Sequence, residues 1–477
     1  MKKLLTAALT TALGLAVAGP AQATETRINS LSAAGGLGGA YNEKRITIRD
    51  SANIDTFPQF MVTYKNSVDV DNTVGSKYGS MNIRYALSDD PAPPVIMLFG
   101  KQSPWQPVTQ QKSILGRDAS SEAGGPLGGN NVVGNPISNA ALTDATNHQF
   151  GIGFGMKAGE SVRLGATLSL GGNRADTAGE NPTSHAATDD EQSNTWVDFN
   201  FGIGFDINEV NSLDFGLNIM AGSFTNMNGN TPYYAPNGLF GVAFTAKGEF
   251  MVSQIAKIVP YLRVNYDSRS VVGLVWNSDS ARTNLIGTVN NTWLHLGTDL
   301  AIAPPNMEGV LIQPGIGLIY HGSTVAGNAK EDGASHTVED SNNIMPWYGF
   351  AAEAKAFEWL FLRLGARQVI SRTNVANTET SPKNNETHFS TVTNKVSTGF
   401  GIKLMGWHLD LDIDPEFFNR GIYAVSGNST AQGAVKASPG SPAVAATATT
   451  PAIPATPAVA GSPATYFALN WALGYDW

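Results

Sequence analysis

The 477-residue chain has no cysteine, so it forms no disulfide and exposes no thiol to an oxidising compartment, as suits an exported protein. The usual thiolate zinc sets are excluded with it. Charge is scarce, at 14% of residues, and its sign is skewed, with 30 basic residues against 39 acidic. No nucleic-acid partner is expected of so acidic a chain. Past the N-terminus no apolar run approaches the ~18 residues that a transmembrane helix needs. Nor is there a Gly-x-Ser-x-Gly nucleophile elbow. The seven histidines are scattered without metal-ligand spacing, so neither an enzyme, a cofactor nor a metal site is expected.

The N-terminus holds Met1-Lys2-Lys3, an apolar segment from Leu4 to Ala18, and Ala21-Gln22-Ala23. A basic start, an apolar run too short to span a bilayer and a small-x-small site make residues 1–23 a cleaved signal peptide. Removing Lys2 and Lys3 leaves 28 basic against 39 acidic residues, a net charge of -11.

Glycine is abundant, at 51 residues, and much of it sits in segments of strict alternation. SVRLGATLSLG sets Val162, Leu164, Ala166, Leu168 and Leu170 against Arg163, Gly165, Thr167 and Ser169. WVDFNFGIGFD sets Val197, Phe199, Phe201, Ile203 and Phe205 against Asp198, Asn200, Gly202, Gly204 and Asp206. Period two means a strand with one face in an apolar medium and the other in a polar one. A tilted strand crosses hydrocarbon in about 9–11 residues, and in lipid only a closed sheet satisfies every backbone group.

Tight turns, such as Ala158-Gly159-Glu160, Asn208-Glu209-Val210 and Met405-Gly406, alternate with long polar stretches, such as 102–147, 173–193, 323–343 and 415–464. Membrane barrels show that asymmetry. The fold expected is all-β, a transmembrane antiparallel β-barrel over 59–477 of about sixteen strands. The first three are placed at 59–70, 79–88 and 94–101. Fourteen strands with an N-terminal plug is the alternative, residues 24–58 being a periplasmic arm or that plug. Residues 428–464, rich in Pro, Ala and Thr, form a low-complexity external loop.

The chain ends in TYFALNWALGYDW, in which Trp471, Leu473, Tyr475 and Trp477 occupy alternate positions up to a terminal aromatic. Here the sequence resembles Gram-negative bacterial outer-membrane β-barrel proteins, porin-like, with no subfamily marked. The resemblance implies outer-membrane localisation, contact with outer-membrane lipid, and recognition of those four residues by the barrel-assembly machinery. A homotrimer stays open. The fatty-acid channels of that membrane carry an N-terminal hatch similar in position and size to residues 24–58.

Alternation also assigns the lumen charges. Asp198, Asp206 and Asp214 make an acidic wall, and Arg363, Arg367, Lys395 and Lys403 a basic wall across the ring. Such opposed charges would set up a transverse field, although ion pairs between adjacent strands are an equal expectation. Asp69 and Asp71 read as rim charges at a strand end. The inward glycines and charges suit a wet interior. The expected function is passive diffusion of small hydrophilic solutes, with uptake of hydrophobic compounds or surface display as alternatives.

Overall fold

The structure, a computed structural model, describes residues 25–32, 46–48, 50–73, 79–90, 92–104, 146–180, 187–228, 231–276, 282–305, 307, 309–328, 335–377, 386–413 and 469–476. The signal segment, the 428–464 loop and Trp477 lie outside the described residues. Apart from Ile413 and Leu469, the described residues belong to one compact unit.

Sixteen antiparallel strands form a closed barrel in which each pairs with its sequence neighbours and the first with the last. They are β1 (Ser67–Thr73), β2 (Gly79–Ala86), β3 (Val95–Pro104), β4 (Thr146–Ala158), β5 (Val162–Glu180), β6 (Ala187–Asp206), β7 (Ser212–Asn228) and β8 (Thr231–Ser253). There follow β9 (Ala256–Trp276), β10 (Arg282–Ile302), β11 (Val310–Asn328), β12 (Ser335–Phe357), β13 (Leu360–Asn377), β14 (Glu386–Leu404), β15 (Trp407–Ile413) and β16 (Leu469–Asp476). The expected turns are in place. Met405 and Gly406 both have positive φ, 49° and 85°, the two-residue hairpin geometry that matches strand twist.

The polarity is that of a soluble protein turned inside out. Phe150, Ile152, Phe154, Leu168, Leu170, Val197, Phe199 and Phe201 are 40% to 62% exposed, while Arg163, Thr167, Ser169 and Asn200 between them are buried. An apolar surface of that extent needs lipid around it.

Several strands run longer than the alternation shows. Of 173–193, read as a loop, residues 173–180 and 187–193 continue the β5–β6 ladder from Asn173↔Asn194 out to Glu180↔Ala187. Of 323–343, residues 323–328 and 335–343 likewise continue the β11–β12 ladder to Asn328↔Ser335. Beyond the hydrocarbon both sheet faces meet water. The alternation that marks a strand then disappears from the sequence, although the backbone ladder goes on.

A second difference concerns residues 59–70. Pro58–Val62 is a 3-10 turn, not a strand, and β1 starts at Ser67. Phe57, Phe60, Met61 and Tyr64 are fully buried and pack with Ile46, Ile54 and the wall residues Val95 and Met97. The apolar side chains of this stretch pack together inside the barrel, while Gln59 between them turns to the wall. Asn66 makes the exit at φ 55°, its Oδ1 accepting from the Ala86 amide at 2.9 Å. The sixteen-strand barrel and a lumen-filling N-terminal segment therefore coexist; the fourteen-strand alternative is not the one adopted.

Closure of the ring joins β1 to β16 from Ser67↔Asp476 to Thr73↔Asn470. Inside the seam Asp69 is 1% exposed and is paired with Arg84, so it is no rim charge. His408 Nε2 lies 3.2 Å from its Oδ1, above Gly474, where a Cβ would overlap the imidazole. His408→Phe should remove one partner of a buried carboxylate at a cost of about 1–3 kcal/mol. A lower temperature for loss of heat-modifiable gel mobility is the expected result; an unchanged one would mean that Arg84 alone satisfies Asp69.

Candidate functional site: a plugged lumen

The N-terminal segment lies against two stretches of the lumen wall. A helix, α1 (Glu25–Ser32), contacts β12, β13 and β14. The 3-10 turn Pro58–Val62 contacts β3 to β6. Both meet the wall where side chains are missing. Gly155, Gly165, Gly202 and Gly216 stand side by side across β4 to β7, and the chain from Thr56 to Met61 runs over them. A Cβ on Gly165 would overlap the Pro58 carbonyl, one on Gly202 the Gln59 side chain, and one on Gly216 the Thr56 carbonyl oxygen. Under α1, Gly365 and Gly399 play the same part against Leu31 and Ser30. Glycine permits such close backbone approach because it has no Cβ.

Charge fixes the segment in place. Arg27 donates to Asp50 at 2.8 Å and, through two nitrogens, to both oxygens of Glu353 on β12 at 2.8 Å each. Glu353 is shared with Arg363 at 2.7 Å, and Arg363 reaches Asp410 at 2.5 Å. All five side chains are under 10% exposed. Bidentate charge-assisted pairs of this kind are strong and directional. Burial pushes the Asp50 carboxyl up to about 7, with the Arg27 guanidinium drawing it the other way. At the second contact Gln59 donates to Asp214 at 3.0 Å, and the Lys247 ammonium lies 4.8 Å from the centre of the Phe60 ring, a cation–π contact.

Three of the assigned charges, Asp206, Asp214 and Arg363, are paired within their own stretch of wall. Arg163 binds Asp206 at 2.9 Å and Asp214 at 3.3 Å. On the other side Arg363 is held between Glu353 and Asp410. Arg367 stacks over Trp347 at 4.7 Å, and Lys403 is exposed beside the Met405-Gly406 turn. The side chain of Lys395 lies outside the described residues. Arg163 with Asp206 and Asp214, and Arg363 with Glu353 and Asp410, follow the ion-pair expectation between nearby strands. Of the terminal signature, Leu473 faces outward, and Tyr475 packs on Trp407 with ring centres 4.7 Å apart. The side chain of Trp471 is outside the described set.

A cavity of about 320 Å³ lies between this segment and the wall. The segment contributes Ser51, Asp55 and Thr56, and the wall contributes Asn82, Gln149, Asp198, Asn200 and Asn218. Asn218 donates to both Asp198 and Asn200, and Asn200 to Thr167. Among the described residues no group of three or more His, Cys, Asp or Glu could hold a metal ion. Arg27, Asp50 and Gln59 were not found from the sequence, since nothing local distinguishes them from solvated residues of a linker.

A closed antiparallel sheet with an apolar belt outside and paired charges within is a transmembrane β-barrel. No protein-family model matches the chain, and no curated protein matches it in sequence. Among solved structures it is similar to the ferric yersiniabactin uptake receptor FyuA from Yersinia pestis, at 7% identity and a TM-score of 0.33 over 87% of this chain and 80% of that one. It is similar to CdiB from Acinetobacter baumannii at 7% identity and TM-score 0.36, covering 86% of this chain and 60% of that one. It is also similar to the TodX monoaromatic hydrocarbon channel, a deltaS2 mutant, at 9% identity and TM-score 0.40 over 90% and 95%. The likeness is one of barrel architecture.

Proposed function

We propose that this chain is an outer-membrane channel for small hydrophilic solutes whose lumen is occupied by its own N-terminal segment, described at residues 25–32, 46–48 and 50–66. Export, lipid contact and recognition of the C-terminal strand by the assembly machinery belong to the same reading. The observation that carries it is the polar cavity where plug and wall meet. Its carboxylates, amides and hydroxyls suit a solute with several hydrogen-bonding groups and penalise an apolar one. Sixteen strands enclose enough space for an aqueous path, and the plug narrows it, so passage requires plug movement rather than a standing pore.

Proteoliposomes carrying the full-length protein should swell slowly in isosmotic solutions of small sugars or amino acids. Deleting 25–58 should speed swelling several-fold. If neither protein admits such solutes while the intact one binds apolar compounds, the hydrophobic-uptake alternative takes its place.

A further inference from the structure

Away from the plug contacts, β10, β11 and β12 present a buried group of side chains to the lumen. His295, Ile319 and Met345 occupy one rung of the sheet, and Trp293 and His321 stand on the next. His295 and Met345 are thus the diagonal neighbours of His321, one on either side and on the same face, at a spacing of roughly 7–8 Å. His295 and His321 are each 2% exposed and Met345 0%.

The Trp293 indole stacks on the His321 ring at 3.4 Å and 8°. Stacking covers the face of the imidazole and leaves its nitrogens at the edge. Among the described residues neither Nδ1 nor Nε2 of His321 has a hydrogen-bond partner. A buried polar group left so costs about 1–3 kcal/mol, and a bound ion is one way that cost is met.

On the two diagonals from the His321 imidazole the register places a second imidazole, His295, and a thioether, Met345. Hard cations want six or more oxygens, whereas thioether sulfur selects Cu(I) and imidazole suits copper. A soft monovalent ion needs few ligands and no water, which fits a site this deeply buried.

We propose that His295, His321 and Met345 form a binding site for a soft monovalent metal ion, Cu(I) being the biological candidate. The site does not depend on the channel reading. Ag(I), which is redox-inert and shares the d10 configuration, is the probe.

Full-length protein refolded in detergent, titrated with silver nitrate in chloride-free buffer, should bind one tight equivalent and lose part of its tryptophan fluorescence. His321→Phe, which keeps a ring on Trp293, and Met345→Leu, which keeps the volume, should each weaken binding about tenfold or more. Trp293→Phe should abolish the fluorescence change while calorimetry still records the bound equivalent. Heat-modifiable gel mobility verifies that each variant is folded. Should Met345→Leu or His321→Phe bind Ag(I) as tightly as the parent, with the silver on others of the 11 methionines, the proposal fails. It fails equally if Zn(II) displaces Ag(I) at equal concentration, since that would indicate a borderline nitrogen and oxygen site.

Discussion

Arg27→Ala should convert a poorly conducting barrel into one that opens readily in a planar bilayer. The wild-type guanidinium joins Asp50 of the plug to Glu353 of the wall, with both carboxylates buried. Truncating one partner of a buried pair costs about 3–5 kcal/mol; Glu353 keeps Arg363, so the loss falls on Asp50, left desolvated without its cation. Each 1.4 kcal/mol is a factor of ten in an equilibrium, so the docked-to-released ratio should fall by at least about a hundredfold. Asp50→Asn should be far milder. The Asp50 carboxyl lies near its midpoint at neutral pH, and an amide oxygen can still accept from the Ala52 amide, which sits 2.9 Å away. Single-channel recording decides the matter: equal open probability in wild type and Arg27→Ala would show that the bridge does not hold the plug.

The second large effect comes from a single methyl group. Gly165→Ala places a Cβ into the Pro58 carbonyl and the Gln59 amide nitrogen, backbone atoms that no rotamer change can move aside. Overpacking in a well-filled interior costs about 1–3 kcal/mol where side chains can yield, and a backbone obstacle puts this site at the upper end. Gly241 on β8 faces the same lumen, but its added Cβ would meet nothing closer than 3.6 Å. Gly241→Ala is therefore the matched control. Trypsin should cut after Arg27, which is 4% exposed in the docked state, in Gly165→Ala and not in Gly241→Ala. Equal protection of both would mean that the plug does not rest on the glycine row.

These two variants separate what alternation reveals from what it hides. The inward glycines of β5, β6 and β7 read as signs of a wet, open interior. The plug backbone and the Gln59 side chain lie over the row at Gly165, Gly202 and Gly216, so these glycines make room for the chain as well as for water. Asp214 and Arg363 were likewise placed on the correct face, but the sequence shows one strand at a time. Arg163 beside Asp214, and Glu353 beside Arg363, become partners only when register is set. The first strand is expected over 59–70, but Pro58–Val62 turns into the lumen and β1 begins only at Ser67.

By itself the sequence determined the all-β class, which surface of the long strands faces lipid and where several of the tight turns fall; it left sixteen strands or fourteen open until the ring was seen to close. Those properties are local: a two-residue period and a few turn residues encode them, and the bilayer enforces them. Only the tertiary structure decided what fills the lumen. The contacts that do so join residues 326 positions apart in the case of Arg27 and Glu353, and 155 apart for Gln59 and Asp214. No short-range pattern carries such pairings, since each partner alone looks like an ordinary charge or amide, and its meaning arises when closure brings the two within 3 Å.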